Sequence, residues 1–412
     1  MLALLALLLL QTAAPDSTDA APPPPPLAQE APAAEVGPER ISVGFRPILG
    51  AFYSPTKGVG VGVGAKVGNL GWPGTETYLS AEVMQRFTRF RAAFFTGDPF
   101  HARTFAGVGG EYAGTSVRRF FGIGPRSSER DQVNVSLDEV EAEVRLGWYP
   151  LGTGRLLVQP VVRLLHASVE AVEDDRAGAF ARLDPASQQN LLRAIGTPTT
   201  GLTYGLEVAV DGRDRLAYAT RGTLLLLTGR RYDGLGDTPF RYWSATGTLF
   251  HFVPLGGRHV LGGRGVVALT EPIGDEPLPF YALPVLDDTL LGAFTSHRFV
   301  GHDLVALSAE YRFPLFELFG WYAVDGAVQV HVANAYDDVF EQFEPGVTFE
   351  QDLRGEGERT PLRPSLALGG RIVNLDGERV LIGGVIGMSA EGVAFGSLRL
   401  VYGIRDVRPL VR

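Results

Sequence analysis

Apolar side chains recur at every second position over most of this chain, and this period restricts the fold more than any other feature. In the segment SLDEVEAEVRLGW, one face is apolar and carries Val140, Ala142, Val144, Leu146 and Trp148. The opposite face is charged and carries Glu139, Glu141, Glu143 and Arg145. Successive side chains of a β-strand point to opposite faces, so the period predicts strands with one apolar face.

Two classes of all-β protein show this alternation. A soluble β-sandwich buries the apolar face between two sheets, whereas a membrane barrel turns it toward lipid. Hydrophobic residues make up 45% of the chain, yet no window holds the roughly eighteen consecutive apolar residues that a spanning helix needs. A closed barrel is the other structure that satisfies every backbone hydrogen bond in lipid. We therefore predict an all-β, antiparallel transmembrane barrel.

The spacing of the turn signals sets the number of strands and their direction. Residues 41–403 divide into sixteen strands, an even number as bacterial barrels require. The longest connections follow strands five, seven, eleven and thirteen, and they are about 114–132, 172–201, 272–303 and 335–364. All four therefore lie at one end, and the short turns lie at the other. This asymmetry is typical of outer-membrane barrels and predicts that both termini are periplasmic.

Two local patterns predict further detail. In GVGVGVGAK, Gly58, Gly60, Gly62 and Gly64 share one face of a strand, which we interpret as a glycine-lined lumen face rather than a phosphate loop. In the long connection after strand seven, Asp184 and Pro185 have the chemistry of a helix start, and Gly196 can end that helix. We expect the helix to cover the barrel mouth.

The first 39 residues differ in composition from the rest. Residues 1–14 contain an apolar run of about ten residues followed by small residues, which is typical of a cleaved signal peptide. Residues 15–39 are rich in alanine and proline and include PPPPP, a composition that favours a disordered linker. Residues 40–412 form the predicted barrel.

Motifs for catalysis, metals and nucleic acid are not found. The net charge of −9 argues against a nucleic-acid partner. No HExxH or GxSxG motif occurs, so we predict no enzyme activity, no cofactor and no metal site. His297, His302 and Asp303 fall in one connection, where polar loop residues are the alternative to a ligand cluster. The acidic ladder from Glu139 to Glu143 leaves open a cation-preferring lumen or a solvated wall.

Several segments together resemble a known family. They are FFGIG at Phe120–Gly124, TRGTLLLL from Thr220, LPFYALPVLDD followed by TLLGAFTSHRFVG, and LVALSAEYRFPLF from Leu304. In their order and spacing, over about residues 41–405, they resemble the bacterial surface antigen family, the barrels of the BamA and TamA type that assemble or translocate outer-membrane proteins.

The resemblance implies a particular role for the connection between strands eleven and twelve. In the family this sixth loop folds into the lumen and carries an arginine, which a glutamate on strand twelve and an aspartate on strand thirteen hold. The arginine position falls on Leu291 or Gly292, depending on the alignment, and neither is charged. Glu310 matches the glutamate, and His331 stands at the aspartate position.

A buried carboxylate needs a cationic partner. We expect Arg298 or Arg312 to supply one for Glu310, and Phe294 is a further candidate for loop contacts. Family members also carry N-terminal polypeptide-transport-associated (POTRA) domains, for which the linker is too short.

Two functions remain open at this point. The barrel either assists insertion or export of another protein, or is a structural or passive channel that has lost the assembly activity. The expected partners are outer-membrane lipids and lipopolysaccharide, together with client outer-membrane proteins or a separate periplasmic protein that bears POTRA domains.

Overall fold

The computed structural model describes most of the barrel region. The described residues are 44–97, 102–151, 155–172, 178–215, 218–286, 293–350, 359–374, 380–395 and 398–402. The predicted signal peptide and linker, residues 1–39, lie outside the described residues.

Within those ranges the chain forms eighteen strands. They are β1 (Gly44–Ser54), β2 (Gly58–Gly68), β3 (Glu76–Met84), β4 (Phe87–Phe95), β5 (Thr104–Phe120), β6 (Val133–Trp148), β7 (Leu156–Ala171), β8 (Thr199–Asp211), β9 (Gly222–Gly234), β10 (Arg241–Gly256), β11 (His259–Pro272), β12 (Asp303–Leu318), β13 (Tyr322–Tyr336), β14 (Phe343–Val347), β15 (Thr360–Asn374), β16 (Val380–Ser389), β17 (Gly392–Phe395) and β18 (Leu398–Tyr402).

Short helices occupy some of the connections. They are α1 (Ala179–Arg182), α2 (Pro185–Ala194) and α3 (Val339–Gln342), with 3₁₀ turns at Glu129–Asp131 and Phe280–Ala282. In the part of the chain that the structure describes, no helix has the length and apolar character needed to cross a membrane.

The strands pair in one antiparallel sheet that returns to its first strand. Each strand from β1 to β13 pairs with the next, β13 pairs with β15, and β15 pairs with β16. β16 pairs with both β17 and β18, and Leu49–Tyr53 of β1 lie opposite Leu398–Tyr402 of β18. β17 and β18 both lie beside β16 and together take the place of one strand, so the sheet without β14 has the sixteen predicted strands, and the predicted barrel is confirmed. The short β14 runs parallel beside β15 as an addition.

The two faces of the sheet follow the period of two. On β6, Val140, Val144 and Leu146 are exposed, whereas Glu143 and Arg145 on the other face are more buried. On β2 the valines between the predicted lumen glycines are exposed. A side chain at Gly62 would come within 2.6 Å of the Phe52 ring. Glycine there lets the aromatic ring of β1 lie flat on the inner wall.

Connections of very different length separate the two ends of the barrel. Those that follow β5, β7, β11 and β13 are the long ones, and they share one end, which we call the long-loop end. The other end carries short connections such as residues 257–258 and 319–321, and we call it the short-turn end.

Helix α2 lies at the long-loop end, as predicted. The Asp184 carboxylate accepts a hydrogen bond of 2.9 Å from the Ser187 backbone N–H, which caps the helix, and Pro185 occupies its first position. Gly196 follows the helix with a φ of +73°. Leu191 is buried against Phe120 and other apolar side chains of β5 to β7, so the helix packs onto the sheet at the barrel mouth.

Replacement of Leu191 by alanine should destabilise the protein by about 2–5 kcal/mol, because it leaves a cavity in this apolar cluster. Leu191 is 0% exposed, whereas its neighbour Leu192 is 60% exposed. Leu192→Ala is therefore the matched control and should change the free energy of unfolding little. Urea unfolding in detergent micelles measures both, and equal losses would show that α2 is not docked through Leu191.

Candidate functional site

The connection between β11 and β12, residues 273–302, is called loop 6 below, and residues 273–286 and 293–302 of it are described. Its side chains pack against β11, β12 and β13 in one buried cluster, which contains Leu286, Phe294, Phe299, Val266, Ala268, Leu304, Ala306, Ala333 and Ala335. Leu307 and Val330, on the opposite face of these strands, are exposed. The cluster is therefore on the inner face, and the described part of loop 6 folds into the lumen as predicted.

Arg298 fixes loop 6 at the long-loop end. Its side chain is 0% exposed. Its Nε donates to the Glu391 carboxylate in the turn between β16 and β17 at 2.8 Å, and its two Nη atoms donate to the Ser127 Oγ and backbone oxygen at 2.7 Å. The guanidinium also lies 4.6 Å from the Phe299 ring centre. One arginine thus joins loop 6 to two other connections of the barrel mouth.

A second buried arginine holds the same region from the wall. Arg363 of β15 is 1% exposed and donates hydrogen bonds to the backbone oxygens of Pro125 at 3.0 Å and Glu350 at 2.8 Å. Its guanidinium lies 4.9 Å from the ring centre of Phe299. Phe299 is therefore placed against two cations, one from the loop and one from the wall. Sequence reasoning did not single out Arg363, since the contacts join segments that are far apart in the chain.

Glu310 lies on the inner face of β12 and has two arginine partners. Arg312 places its Nε 2.9 Å from one carboxylate oxygen, and Arg371 of β15 donates at 3.0 and 2.5 Å. The Gln329 amide also donates to Glu310. Of the two cations named from the sequence, Arg312 is a partner of Glu310. Arg298 is not, because it binds Glu391 and Ser127 instead.

Arg371 was missed by the sequence analysis. Its alternation on β15 indicates an inward side chain, but nothing in the sequence indicates that it reaches β12 across β13. It lies opposite Asp325 of β13 in the sheet register.

The remaining predicted residues have separate surroundings. His331 faces inward, with its Nδ1 2.9 Å from the Ser308 hydroxyl. Phe294 is buried, and its ring meets that of Phe299 edge-on at 5.3 Å. Leu291 and Gly292 lie outside the described residues.

The acidic ladder of β6 belongs to a mixed network on the inner wall. The Arg163 guanidinium lies 3.0 Å from Glu143 and 3.3 Å from Glu141, and it also lies 3.6 Å from Glu207 of β8. Arg145 and Arg230 pair with members of the same network. The carboxylates of this network are therefore paired with guanidinium groups. This arrangement differs from both alternatives named from the sequence, a cation-preferring lumen and a solvated wall.

His297 of loop 6 borders a small cavity that is otherwise lined by residues of β4, β5 and β6 and of the turn before β2. The cavity has a volume of about 180 Å³, and its cationic lining residues are Lys57, Arg89, Arg118 and Arg119. Burial, together with Arg118, Lys57 and Arg119, lowers the pKa of His297 to about 3. The imidazole is therefore neutral at physiological pH. Among the described residues, no cluster of His, Asp and Glu has the arrangement of a metal site.

Comparison with known proteins identifies the fold. No family model matches the chain, and no curated protein matches it. Among solved structures, BamA from Haemophilus ducreyi lacking POTRA domains 1–3 is similar, with a TM-score of 0.60, 12% identity, and coverage of 88% of this chain and 71% of that one.

Two further structures are CdiB proteins. CdiB from Escherichia coli has a TM-score of 0.52 at 12% identity and covers 87% of this chain and 63% of its own. CdiB from Acinetobacter baumannii has a TM-score of 0.50 at 11% identity and covers 87% and 60%. The chain thus spans less than two thirds of either CdiB protein. At these identities the similarity establishes the fold, and the BamA-type barrel predicted from the sequence is confirmed.

Replacement of Glu310 by alanine should destabilise the barrel by about 3–5 kcal/mol, because Arg312 and Arg371 are left without their carboxylate. Glu317 on the same strand is the matched control. Its side chain is 56% exposed and forms an ion pair of 3.5 Å with Arg258. Because this pair is exposed to solvent, Glu317→Ala should cost at most about 1 kcal/mol. Urea unfolding in micelles distinguishes the two variants. Equal effects would mean that the Glu310 pairs contribute no more than a surface ion pair.

His297 should make stability depend on pH. Its pKa is about 3 in the folded chain and near 6.5 when exposed. Between those values the unfolded chain binds a proton that the folded chain does not, so stability is full above pH 6.5 and falls as the pH decreases toward 3. Between pH 7 and 5 the loss should reach up to about 2 kcal/mol.

The matched measurement compares urea unfolding of the wild type and His297→Gln at both pH values. The variant has no imidazole at this position and should lose less stability on acidification. His166→Gln, at an exposed position, is the control and should behave as the wild type. If His297→Gln loses as much stability as the wild type, His297 is not the group that titrates.

Proposed function

We propose that this chain is an integral β-barrel of the bacterial outer membrane that assists the insertion or export of other proteins. The observation that carries the proposal is loop 6, which folds into the lumen and is fixed at the mouth by the buried Arg298. The alternative, a passive channel that retains the fold, fits this arrangement less well.

The outer surface supports a membrane position. Its exposed side chains are apolar on one strand after another, as on β2, β6 and β12. Exposed tryptophans border this surface, with Trp72, Trp148 and Trp321 at the short-turn end and Trp243 at the other. Outer-membrane barrels carry aromatic residues at both interfaces, short turns on the periplasmic side and longer loops outside. We accordingly place the long-loop end outside the cell and both termini in the periplasm.

The interior supports an assembly or translocation role over passive diffusion. Barrels of sixteen to eighteen strands that act as porins leave an aqueous channel. In this chain, loop 6 contributes Phe294 and Phe299 to a buried cluster inside the barrel, and Arg298 has its hydrogen-bond donors engaged by Ser127 and Glu391. A buried charge held in this way resists displacement, because each broken hydrogen bond leaves a desolvated group. The lumen mouth is thus occupied by a fixed loop.

The remaining parts of the proposal follow from the sequence and the fold together. Residues 1–14 would direct export and residues 15–39 would act as a periplasmic linker. The partners would be outer-membrane lipids, lipopolysaccharide, client barrel proteins and a periplasmic protein that supplies POTRA domains.

Reconstitution into liposomes tests assembly activity. We expect the wild-type chain to increase the rate at which a small unfolded β-barrel inserts, compared with liposomes that hold a porin at equal density. Insertion is measured by protease protection and by heat-modifiable migration on gels. A rate no higher than that of the porin liposomes, tested with and without a periplasmic extract, would favour the passive-channel alternative.

Conductance in planar bilayers tests the role of the anchor. The wild type should conduct little, whereas Arg298→Ala should conduct more, because the buried Glu391 is left unpaired and loop 6 is released. Arg193, with a half-exposed side chain 3.5 Å from Glu276, gives the control Arg193→Ala, which should conduct as the wild type does. A wild type that is already steadily open would contradict the proposal.

A further inference from the structure

The described residues of the connection between β8 and β9, 212–215 and 218–221, are held by hydrogen bonds at the short-turn end. The Asp214 carboxylate accepts hydrogen bonds from the Thr220 backbone N–H at 2.9 Å, the Thr220 hydroxyl at 2.5 Å and the Arg221 N–H at 3.2 Å. Asp211 binds the Arg213 side chain at 2.7 and 2.9 Å. These bonds fix the described residues on both sides of the turn, so the position of Tyr218 is set by its neighbours.

Tyr218 extends from this connection into the barrel. Its hydroxyl donates a hydrogen bond of 2.9 Å to Asp325 on the inner face of β13. Its ring packs with Ala323 and Val373, and the side chain as a whole is 8% exposed. A tyrosine in a short solvent-exposed turn would be mostly exposed, so this burial shows that the residue is docked against the wall.

The surroundings of Tyr218 are cationic. The Arg312 guanidinium lies 4.6 Å from the centre of its ring, and that of Arg371 lies 5.9 Å away. Both distances are within the range of cation–π attraction. Arg312 and Arg371 are the same two arginines that bind Glu310, so Tyr218 extends the inner-wall network toward the short-turn end.

Topology makes this contact a crossing of the lumen. Three strands, β10 to β12, lie along the wall between β9, to which the connection leads, and β13. A tyrosine side chain cannot cover that distance along the sheet, so the chain at Tyr218 must extend inward from the wall across part of the opening. A second connection converges on the same acid, since Arg258 between β10 and β11 also binds Asp325.

We propose that Tyr218 closes the lumen at the short-turn end, as a barrier separate from loop 6. Loop 6 contacts β12 at Leu304 and Ala306. Tyr218 contacts the same strand at Arg312, six residues beyond Ala306. Ser308 lies between these two levels on the inner face. A polar solute that passes through the barrel meets both elements in turn, so Arg298→Ala alone should raise the bilayer conductance only in part, and Arg298→Ala combined with Tyr218→Ala should raise it further. The inference rests on the barrel fold and does not require assembly activity.

A thiol-accessibility experiment tests this barrier. The chain contains no cysteine, so Ser308→Cys supplies a single thiol inside the lumen. The protein is reconstituted in one orientation into liposomes, and a charged maleimide that does not cross the bilayer is added to one side at a time. The rate at which the maleimide labels the Ser308→Cys protein is then compared with the rate for the double variant Ser308→Cys, Tyr218→Ala.

We expect Tyr218→Ala, which removes both the ring and the hydrogen bond to Asp325, to raise the labelling rate from the short-turn side by more than tenfold. The rate from the long-loop side should not change, because loop 6 is intact. Tyr218→Phe retains the ring and loses only the hydrogen bond to a charged group, so its rise should be smaller, about tenfold. Tyr311→Ala, which removes an exposed tyrosine from the outer face of β12, is the control and should give none.

Heat-modifiable migration confirms that each variant is folded before labelling, and Tyr218→Phe decides the test if Tyr218→Ala does not fold. An unchanged rate from the short-turn side in the folded variants would overturn the proposal. An equal rise from both sides, or an equal rise in Tyr311→Ala, would overturn it as well, since either shows general loosening of the barrel. A failed insertion assay with a positive labelling result leaves this inference intact.

Discussion

The return of the paired strands to β1 is the constraint on which the rest of this structure depends. In lipid each backbone N–H and C=O must find a partner within the protein, and a sheet whose last strand pairs with its first strand supplies partners where an open sheet would have free edges. Such a sheet has only two faces. Because the outer face is mainly apolar, the charged networks built around Glu310, Arg163 and Arg298 are directed into the barrel, where each charge must be paired or hydrated.

Arginine is the residue that supplies most of the positive charges and hydrogen-bond donors for the buried carboxylates and carbonyl oxygens inside this barrel. Lys57 and Lys66 are its only lysines among 37 basic residues. A guanidinium presents several donors in one plane, so a single side chain can bind two or three groups from different strands. Arg163 does this on the wall of β6 to β8, and Arg298 does it at the mouth. Lysine at either position would retain the charge and lose the geometry.

The sequence predicts whatever depends on local chemistry. The period of two assigned the inner and outer faces, and turn signals gave the sixteen strands and the end at which the long loops lie. Asp184 and Pro185 marked the start of α2 for the same reason, since capping involves neighbours in the chain. Arg312 was found as a partner of Glu310 because it lies two residues away on the same strand.

Contacts between distant parts of the barrel could not be predicted in this way. The pairs Arg298 with Glu391 and Arg371 with Glu310 join residues that are far apart in sequence, and the closure and register of the whole sheet bring them together. Tyr218 and Asp325 belong to the same class. The choice of Arg298 as partner for Glu310 was wrong for this reason: alternation assigns a face to a strand residue but gives no position to a loop residue.

The glycine face of β2 has a mechanical consequence for the β1–β2 hairpin. Gly60, Gly62 and Gly64 contribute no side chains of their own to the inner wall of β2, and the Met84 side chain and the Phe52 ring lie over Gly60 and Gly62 instead. Glycine within a strand adds backbone freedom and removes packing, so local distortion of such a hairpin requires less free energy. Bending of the wall at the β1–β2 hairpin therefore requires less free energy than it would if larger residues stood at these glycine positions.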